Sequence, residues 1–154
     1  MPVIKDPFAL EARTGSLFYP GKLAEGFEGR AKRAMTSALG LTQFGVNMTT
    51  LKPGAMSSLR HWHVKEDECV FIVSGELWLV TNSGDVKLSA GMLAGFPAGD
   101  ADGHHLINRS AEVASYLEIG TRSADAVVTY RDVDLKFVRV NGDVRMTRKS
   151  GEPY

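Results

Sequence analysis

A chain of 154 residues is long enough for one domain with a real core and too short to divide comfortably into two. Its 18 basic and 18 acidic residues cancel, so no whole-chain field steers it to nucleic acid or an anionic membrane, and a small-molecule partner is expected. No run approaches the roughly 18 apolar residues of a membrane span, Cys69 has no second cysteine to pair with, and the first residues, Met1 to Phe8, carry charge and proline where a secretory signal needs an apolar run, so a reducing, cytoplasmic setting is expected.

Residues 1–40 hold scattered apolar positions, Phe8, Leu10, Leu17, Phe18 and Tyr19, followed by the turn pair Pro20-Gly21. From Leu23 to Met35 the apolar residues Leu23, Phe27 and Ala31 fall four apart, a helical spacing that Gly26 and Gly29 weaken. This region reads as an arm of short strands packing on the main body or on a partner subunit. Residues 41–122 change texture, to brief runs of Val, Ile, Phe and Tyr broken every eight to twelve residues by glycine or proline. The expected strands are Phe44 to Leu51, Ser58 to His63, Cys69 to Val73, Glu76 to Thr81, Val86 to Leu88, Leu93 to Phe96, His104 to Asn108 and Val113 to Ile119. Asn82-Ser83-Gly84-Asp85 fits a tight hairpin, because Asn and Gly tolerate positive φ. Many short strands with no helices between them predict an all-β fold, a barrel or double-sheet jelly roll. Residues 123–154 are strongly charged, with one apolar group at Leu135, Phe137, Val138 and Val140, and read as a tail that packs on the barrel or on a second subunit.

The chemistry concentrates in two stretches. Side chains two apart on a strand share a face, so His61 and His63 look one way while Arg60 and Trp62 look the other. Two imidazoles about 6.6 Å apart along a strand can lean onto one ion at about 2 Å from each nitrogen. The polar link Val64-Lys65-Glu66-Asp67 fits a hairpin loop that returns the chain antiparallel and delivers Glu68 as a third ligand on the adjacent strand. Glu66 or Asp67 offers an alternative carboxylate, but both suit the loop better. His104 follows a loop rich in proline and glycine that can carry its strand across the barrel to complete the set. His105 faces away from His104 as a packing or solvent residue, and Cys69 faces away from Glu68 as an inert buried thiol. Three imidazoles and a carboxylate suit one divalent Fe, Mn, Ni or Zn ion with positions left open. Phe96, Tyr116, Gln43 and Leu106 are candidate pocket residues, and Lys65 and Arg109 are the cations nearest in sequence for an anionic substrate. Arg60 is expected at the surface.

At these residues the chain resembles the cupin superfamily, whose first motif reads Gly-x5-His-x-His-x3 or 4-Glu-x6-Gly and whose second reads Gly-x5-Pro-x-Gly-x2-His-x3-Asn. The matching positions are Gly54, His61, His63, Glu68 and Gly75, then Gly91, Pro97, Gly99, His104 and Asn108. Six residues rather than five precede His61, and four rather than two precede His104, both in loops. The resemblance implies a small double-stranded β-helix, a metal inside it and a homodimer. The layout further resembles small bacterial single-domain members described as sugar-phosphate isomerases. Fold does not fix reaction, so three readings stand: a metal-assisted isomerase of a small oxygen-rich metabolite, an Fe(II)-dependent dioxygenase, and a noncatalytic small-molecule sensor.

Overall fold

Short apolar runs ended by glycine or proline become strands because each can cover one face of a sheet and then must turn. The computed structural model describes residues 1–15 and 18–154, so the apolar position Leu17 lies outside the described residues. In chain order the strands are β1 (Arg13–Thr14), β2 (Arg30–Ala34), β3 (Phe44–Leu51), β4 (His61–His63), β5 (Glu68–Ser74), β6 (Glu76–Thr81), β7 (Gly84–Ser89), β8 (Leu93–Phe96), β9 (His105–Ile107), β10 (Ala114–Thr121), β11 (Val127–Tyr130), β12 (Lys136–Val140) and β13 (Asp143–Thr147). The one α-helical segment among the described residues is the single turn Met35–Ala38. No helix is long and apolar enough to cross a membrane among these residues.

The fold is an all-β barrel built of antiparallel sheets. One wall is a six-stranded sheet in the order β1-β2-β3-β10-β5-β8. The other is made of the sheets β13-β12-β11-β4 and β7-β6-β9, linked by the isolated bridge His61↔His104, while Met56, ahead of β4, bridges Ile107 of β9. The first forty residues therefore add β1 and β2 to the edge of β3, and the last thirty supply β11, which pairs with the histidine strand β4.

Several expectations need correction. β4 and β5 do not form a hairpin: β4 pairs with β11, whereas β5 lies between β10 and β8 in the opposite wall. The Val64–Asp67 link is drawn across the barrel because its own groups bond elsewhere, Val64 N to Val127 O at 2.9 Å and Asp67 N to Thr121 Oγ1 at 2.9 Å. The strand expected from Ser58 begins only at His61. Ser57 and Ser58 spend their groups on neighbours instead, with Ser57 N donating to Leu106 O and Ser58 Oγ lying 3.2 Å from His61 Nδ1. Helical spacing from Leu23 to Met35 yields a 3-10 turn at Gly21–Ala24 and then β2, because β2 gains a full ladder along β3 that a glycine-interrupted helix cannot match. In the β6–β7 hairpin Gly84 has positive φ but Asn82 does not. Asn82 instead ties to the loop ahead of His104, its N donating to Asp102 Oδ1 at 2.7 Å and its Nδ2 to Ala101 O at 3.1 Å.

Alternation sorts the interior. Leu51, Val70, Ile72, Leu77, Leu79, Leu88, Leu106, Ala114 and Tyr116 fill one end of the barrel as a continuous apolar cluster. Gly75 closes this end with φ 73°, and a Cβ there would stand 2.9 Å from the Ala114 Cβ, so only glycine fits the turn. A second cluster joins Val128, Tyr130 and Leu135 with Tyr19, Leu23, Leu59, Phe137 and Met146. Of the tail's apolar group, Leu135 is fully buried while Val140 is exposed.

Candidate metal centre

On β4 the two-residue period turns His61 and His63 into the barrel, and the ring centroids stand 5.2 Å apart. His104 reaches the same place from the neighbouring segment. His61 N donates to His104 O at 3.1 Å and His104 N to His61 O at 2.9 Å, so His104 is the lateral neighbour of His61 and not a residue from across the barrel. The loop before it is pinned to the first motif: Gly99, with φ 82°, donates its N–H to His63 O at 2.8 Å, and Ala98 N donates to Asp67 Oδ1 at 2.8 Å. Glu68 projects from the facing wall, at the start of β5.

The four side chains meet around one carboxylate oxygen. Glu68 Oε2 lies 3.4 Å from His104 Nε2, 3.5 Å from His63 Nε2 and 4.0 Å from His61 Nε2. The ligand atoms of His61, Glu68 and His104 all fall within 4.8 Å of one another; His63 is outside that mutually close group and joins it through its 3.5 Å approach to Glu68. Each Nδ1 is turned to an oxygen behind it: His61 to Leu59 O at 2.9 Å, His63 to Glu66 Oε2 at 3.3 Å and His104 to Asp102 O at 3.4 Å. The His63 contact is close but not aligned as a hydrogen bond. On a neutral ring these oxygens favour the proton on Nδ1, which frees Nε2 to face an ion; His63 must first lose a proton to do so. Two atoms each about 2.1 Å from one ion stand about 3.0 Å apart at a right angle and about 3.4 Å apart at a tetrahedral angle. The donor set and its spacing therefore fit a divalent transition ion.

Electrostatics supports the same arrangement. Burial opposes the Glu68 charge, yet the His104 and His63 rings hold its carboxyl well below the usual carboxylate range. Burial pushes the His61 imidazole down to about 4 against the pull of Glu68. Burial works the same way on His63, but the Glu66 and Glu68 carboxylates outweigh it and push that ring up to about 9. Glu66 is itself held below its ordinary value, burial being outweighed by His63 and by the Ser123 N–H that it accepts at 2.8 Å.

The cluster lines one end of a cavity of about 420 Å³. Phe96 lies beside it, stacked on His104 with ring centroids 3.5 Å apart and planes at 4°. In the row across the wall that contains Glu68 and Phe96, the next two inward positions are Gly120 and Gly45, so no side chain covers the carboxylate from that direction. Tyr116 and Leu106 also line the cavity. Arg109 and Gln43 do not. Arg109 is spent on Asp85, Nη2 to Oδ2 at 2.7 Å, and lies over the Trp78 ring, while Gln43 is exposed just ahead of β3. Lys65 is exposed, and Arg60 faces outward into a paired contact with Asp132 at 2.6 and 2.8 Å. His105 faces away from the centre, its Nδ1 held 3.0 Å from Ser58 O. Cys69 is only half-buried. Asn108 is buried but structural, its Nδ2 donating to Leu51 O and Glu112 O.

Cavity residues that escape the sequence reading include Arg13, Arg30, Lys32, Asn47 and Glu118. Glu118 pairs with Lys32 and accepts from Asn47 Nδ2 at 3.2 Å. Its signal was parity, since Glu118 shares a face with Tyr116.

Residues 47–120 match the family described as Cupin domain. Among solved structures the chain is similar to a sugar phosphate isomerase from a cupin superfamily of Silicibacter pomeroyi, 41% identical over 97% of this chain and 94% of that one, with a TM-score of 0.91. It is also similar to a candidate sugar phosphate isomerase of Acidithiobacillus ferrooxidans, 27% identical over 81% of this chain and 80% of that one, TM-score 0.73. A polyketide cyclase of Streptomyces resistomycificus, 15% identical over 79% of this chain and 80% of that one with a TM-score of 0.61, shares the fold alone. No curated protein sequence matches the chain. With the histidine–carboxylate cluster seated in a barrel of this topology, the chain belongs to the cupin superfamily.

Proposed function

We propose that the chain is a metal-dependent isomerase acting on a small oxygen-rich substrate of the sugar-phosphate kind. The observation that carries this reading is the convergence of three imidazole Nε2 atoms on Glu68 Oε2 at one end of an open cavity. A relative 41% identical over nearly the whole chain, itself named a sugar phosphate isomerase, supports the substrate class. A divalent ion held by His61, His63, Glu68 and His104 would supply Lewis acidity to a substrate carbonyl and its neighbouring hydroxyl.

The remaining work falls to this chain's own groups. Isomerisation needs a base that takes a proton from one carbon and returns it to the next. Glu118 is suited to it: it faces the cavity from β10, diagonal to Glu68 on β5, a separation of about 7–8 Å between backbones that leaves room for two adjacent carbons. Lys32 and Asn47 hold the carboxylate in place. Phe96 offers a flat apolar wall beside His104, and the closed apolar end of the barrel keeps water from entering behind the substrate.

The test is to load the protein with Mn, Zn, Ni or Fe under anaerobic conditions and incubate it with aldose and ketose phosphates in D2O. Interconversion with deuterium entering the carbon next to the carbonyl is expected, and Glu118→Gln should abolish it at unchanged metal content. Oxygen uptake restricted to the Fe form, with no anaerobic turnover, would replace isomerisation by oxygenation. Metal and substrate binding with neither reaction would leave a sensor.

A further inference from the structure

We propose that the cavity contains, remote from the histidine cluster, a subsite for the phosphate group of a small phosphate monoester, formed by Arg30 with Arg13 and Lys32. The proposal rests on the reading of the chain as acting on a sugar phosphate and names the residues that would recognise the anionic end. On β2, whose sequence is Arg30-Ala31-Lys32-Arg33-Ala34, the two-residue period sends Arg30 and Lys32 to one face and Arg33 to the other. Arg33 goes to the outer surface, where its Nη1 meets Thr50 Oγ1 and its guanidinium lies over the Phe8 ring. Arg13 on β1 stands directly opposite Lys32 in the ladder, hence on the same face. All three inward cations line the cavity.

Their charge is not balanced locally. Lys32 is paired with Glu118. Among the described residues, neither Arg13 nor Arg30 has a carboxylate partner. Arg30 spends one donor, Nη1 to Gly15 O at 3.2 Å, while its Nε is buried without any hydrogen-bond partner. A guanidinium has five N–H groups arranged as a fork that matches the oxygens of a phosphate two at a time. Leaving the Arg30 Nε–H desolvated and unpaired is costly, and an incoming anion that accepts from it removes the cost. Arg109, the cation nearest the second motif, is already neutralised by Asp85 outside the cavity.

Position sets the anion-binding end apart from the metal-binding end. From β5 to β2 is three strand spacings, about 14 Å across the wall, and along the strands Arg30 lies in the row of Leu51 and Ala114 while Glu68 lies in the row of Gly45 and Gly120. Lys32, opposite Arg13 and in the row of Thr49 and Tyr116, stands between them. Between the two ends lie Glu118, Asn47 and Tyr116, all on the same face of the wall.

The test is calorimetric titration of the full, metal-loaded chain with inorganic phosphate, with acetate as the monoanion control at matched ionic strength. Phosphate is expected to bind, and more tightly than acetate. Arg30→Gln should weaken it about tenfold or more, Arg13→Gln by less, and His61→Ala should leave it within about twofold. Undiminished phosphate binding in Arg30→Gln, no binding to the wild type at millimolar phosphate, or equal affinity for acetate would overturn the subsite. Should Arg30→Gln fail to fold, Arg30→Lys, which keeps the charge but not the fork, and Arg13→Gln decide: weakened binding in both supports the subsite and unchanged binding in both removes it. Phosphate binding that vanishes in His61→Ala yet persists in Arg30→Gln would put the anion at the histidine cluster, sinking the subsite while leaving the metal reading intact. Conversely, absence of metal from the purified protein with Arg30-dependent phosphate binding retained would sink the metal reading alone.

Discussion

Strands β3, β5 and β10 run the length of the same wall, and each changes character halfway along. Towards the closed end their inward side chains are Leu51, Ile72 and Ala114; towards the open end they are Asn47, Gly45, Glu68, Glu118 and Gly120; Thr49, Val70 and Tyr116 stand at the change, Val70 paired with Glu118. Backbone pairing and side-chain period are continuous across the change. The closed end gains stability by removing apolar surface from water. The open end forgoes that gain, keeping polar groups and two positions without side chains, and what it obtains is a cavity with a concentrated donor set. One sheet can thus carry a core and a site in series, provided the polarity of the inward positions switches while their parity does not.

The comparison breaks most visibly if each end is damaged separately. His61→Ala and His104→Ala should lower bound metal from near one ion per chain to below about one-tenth, by elemental analysis, with the far-ultraviolet spectrum of a β protein preserved. Unaltered metal in both variants would sink the centre. At the closed end, Ile72→Ala and Leu77→Ala, both at fully buried positions, should cost about 2–5 kcal/mol in urea unfolding. Metal per folded chain should not change in these variants. Loss of metal in them, in step with stability, would mean that the two ends are one cooperative unit and not a core and a site in series. A smaller effect is expected behind the centre: Glu66→Gln should weaken metal affinity about 10- to 100-fold, because Glu66 backs the far nitrogen of His63 and fixes its ring. An unchanged affinity would leave Glu66 as a loop residue only.

How far the sequence reveals this depends on whether the information is local. His61 and His63 share a face by parity, and Glu68 heads a strand that ends in the Gly75 turn; neither inference needs more than a few residues. The pairing of β4 is not local. Its partner β11 lies more than sixty residues away in a charged segment read as a tail, and nothing near Val127–Tyr130 marks it as the neighbour of the histidine strand. For the same reason Glu68 was expected beside the histidines and not across the barrel from them. Arg30 and Lys32 were obscured by competing signals, helical spacing at Leu23, Phe27 and Ala31 against glycines at 26 and 29. Arg109 shows the opposite error: closeness to Asn108 in sequence implied closeness to the site, but its guanidinium reaches Asp85 on β7.

The smallest expected effect separates the two histidines of β4 from each other. In the metal-free protein the His61 ring is held down to about 4 and the His63 ring up to about 9. His61 has a depressed value, so its burial as a neutral ring costs stability as pH falls below about 6.5, where the unfolded ring takes a proton. His63 has a raised value, so its contribution is fully present below about 6.5 and is lost as pH rises through about 9. Metal binding requires His63 to be neutral, which means that between about 7 and 9 each ion bound displaces one proton. Apparent metal affinity should therefore rise about tenfold per pH unit over that window and level off above it, and the gap in Tm between metal-loaded and chelator-treated protein should widen in parallel. Thermal melts at pH 7, 8, 9 and 9.5, with and without metal, read this directly. A gap that stays constant from pH 7 to 9 would mean that His63 is already neutral there, and that Glu66 and Glu68 do not hold a proton on it.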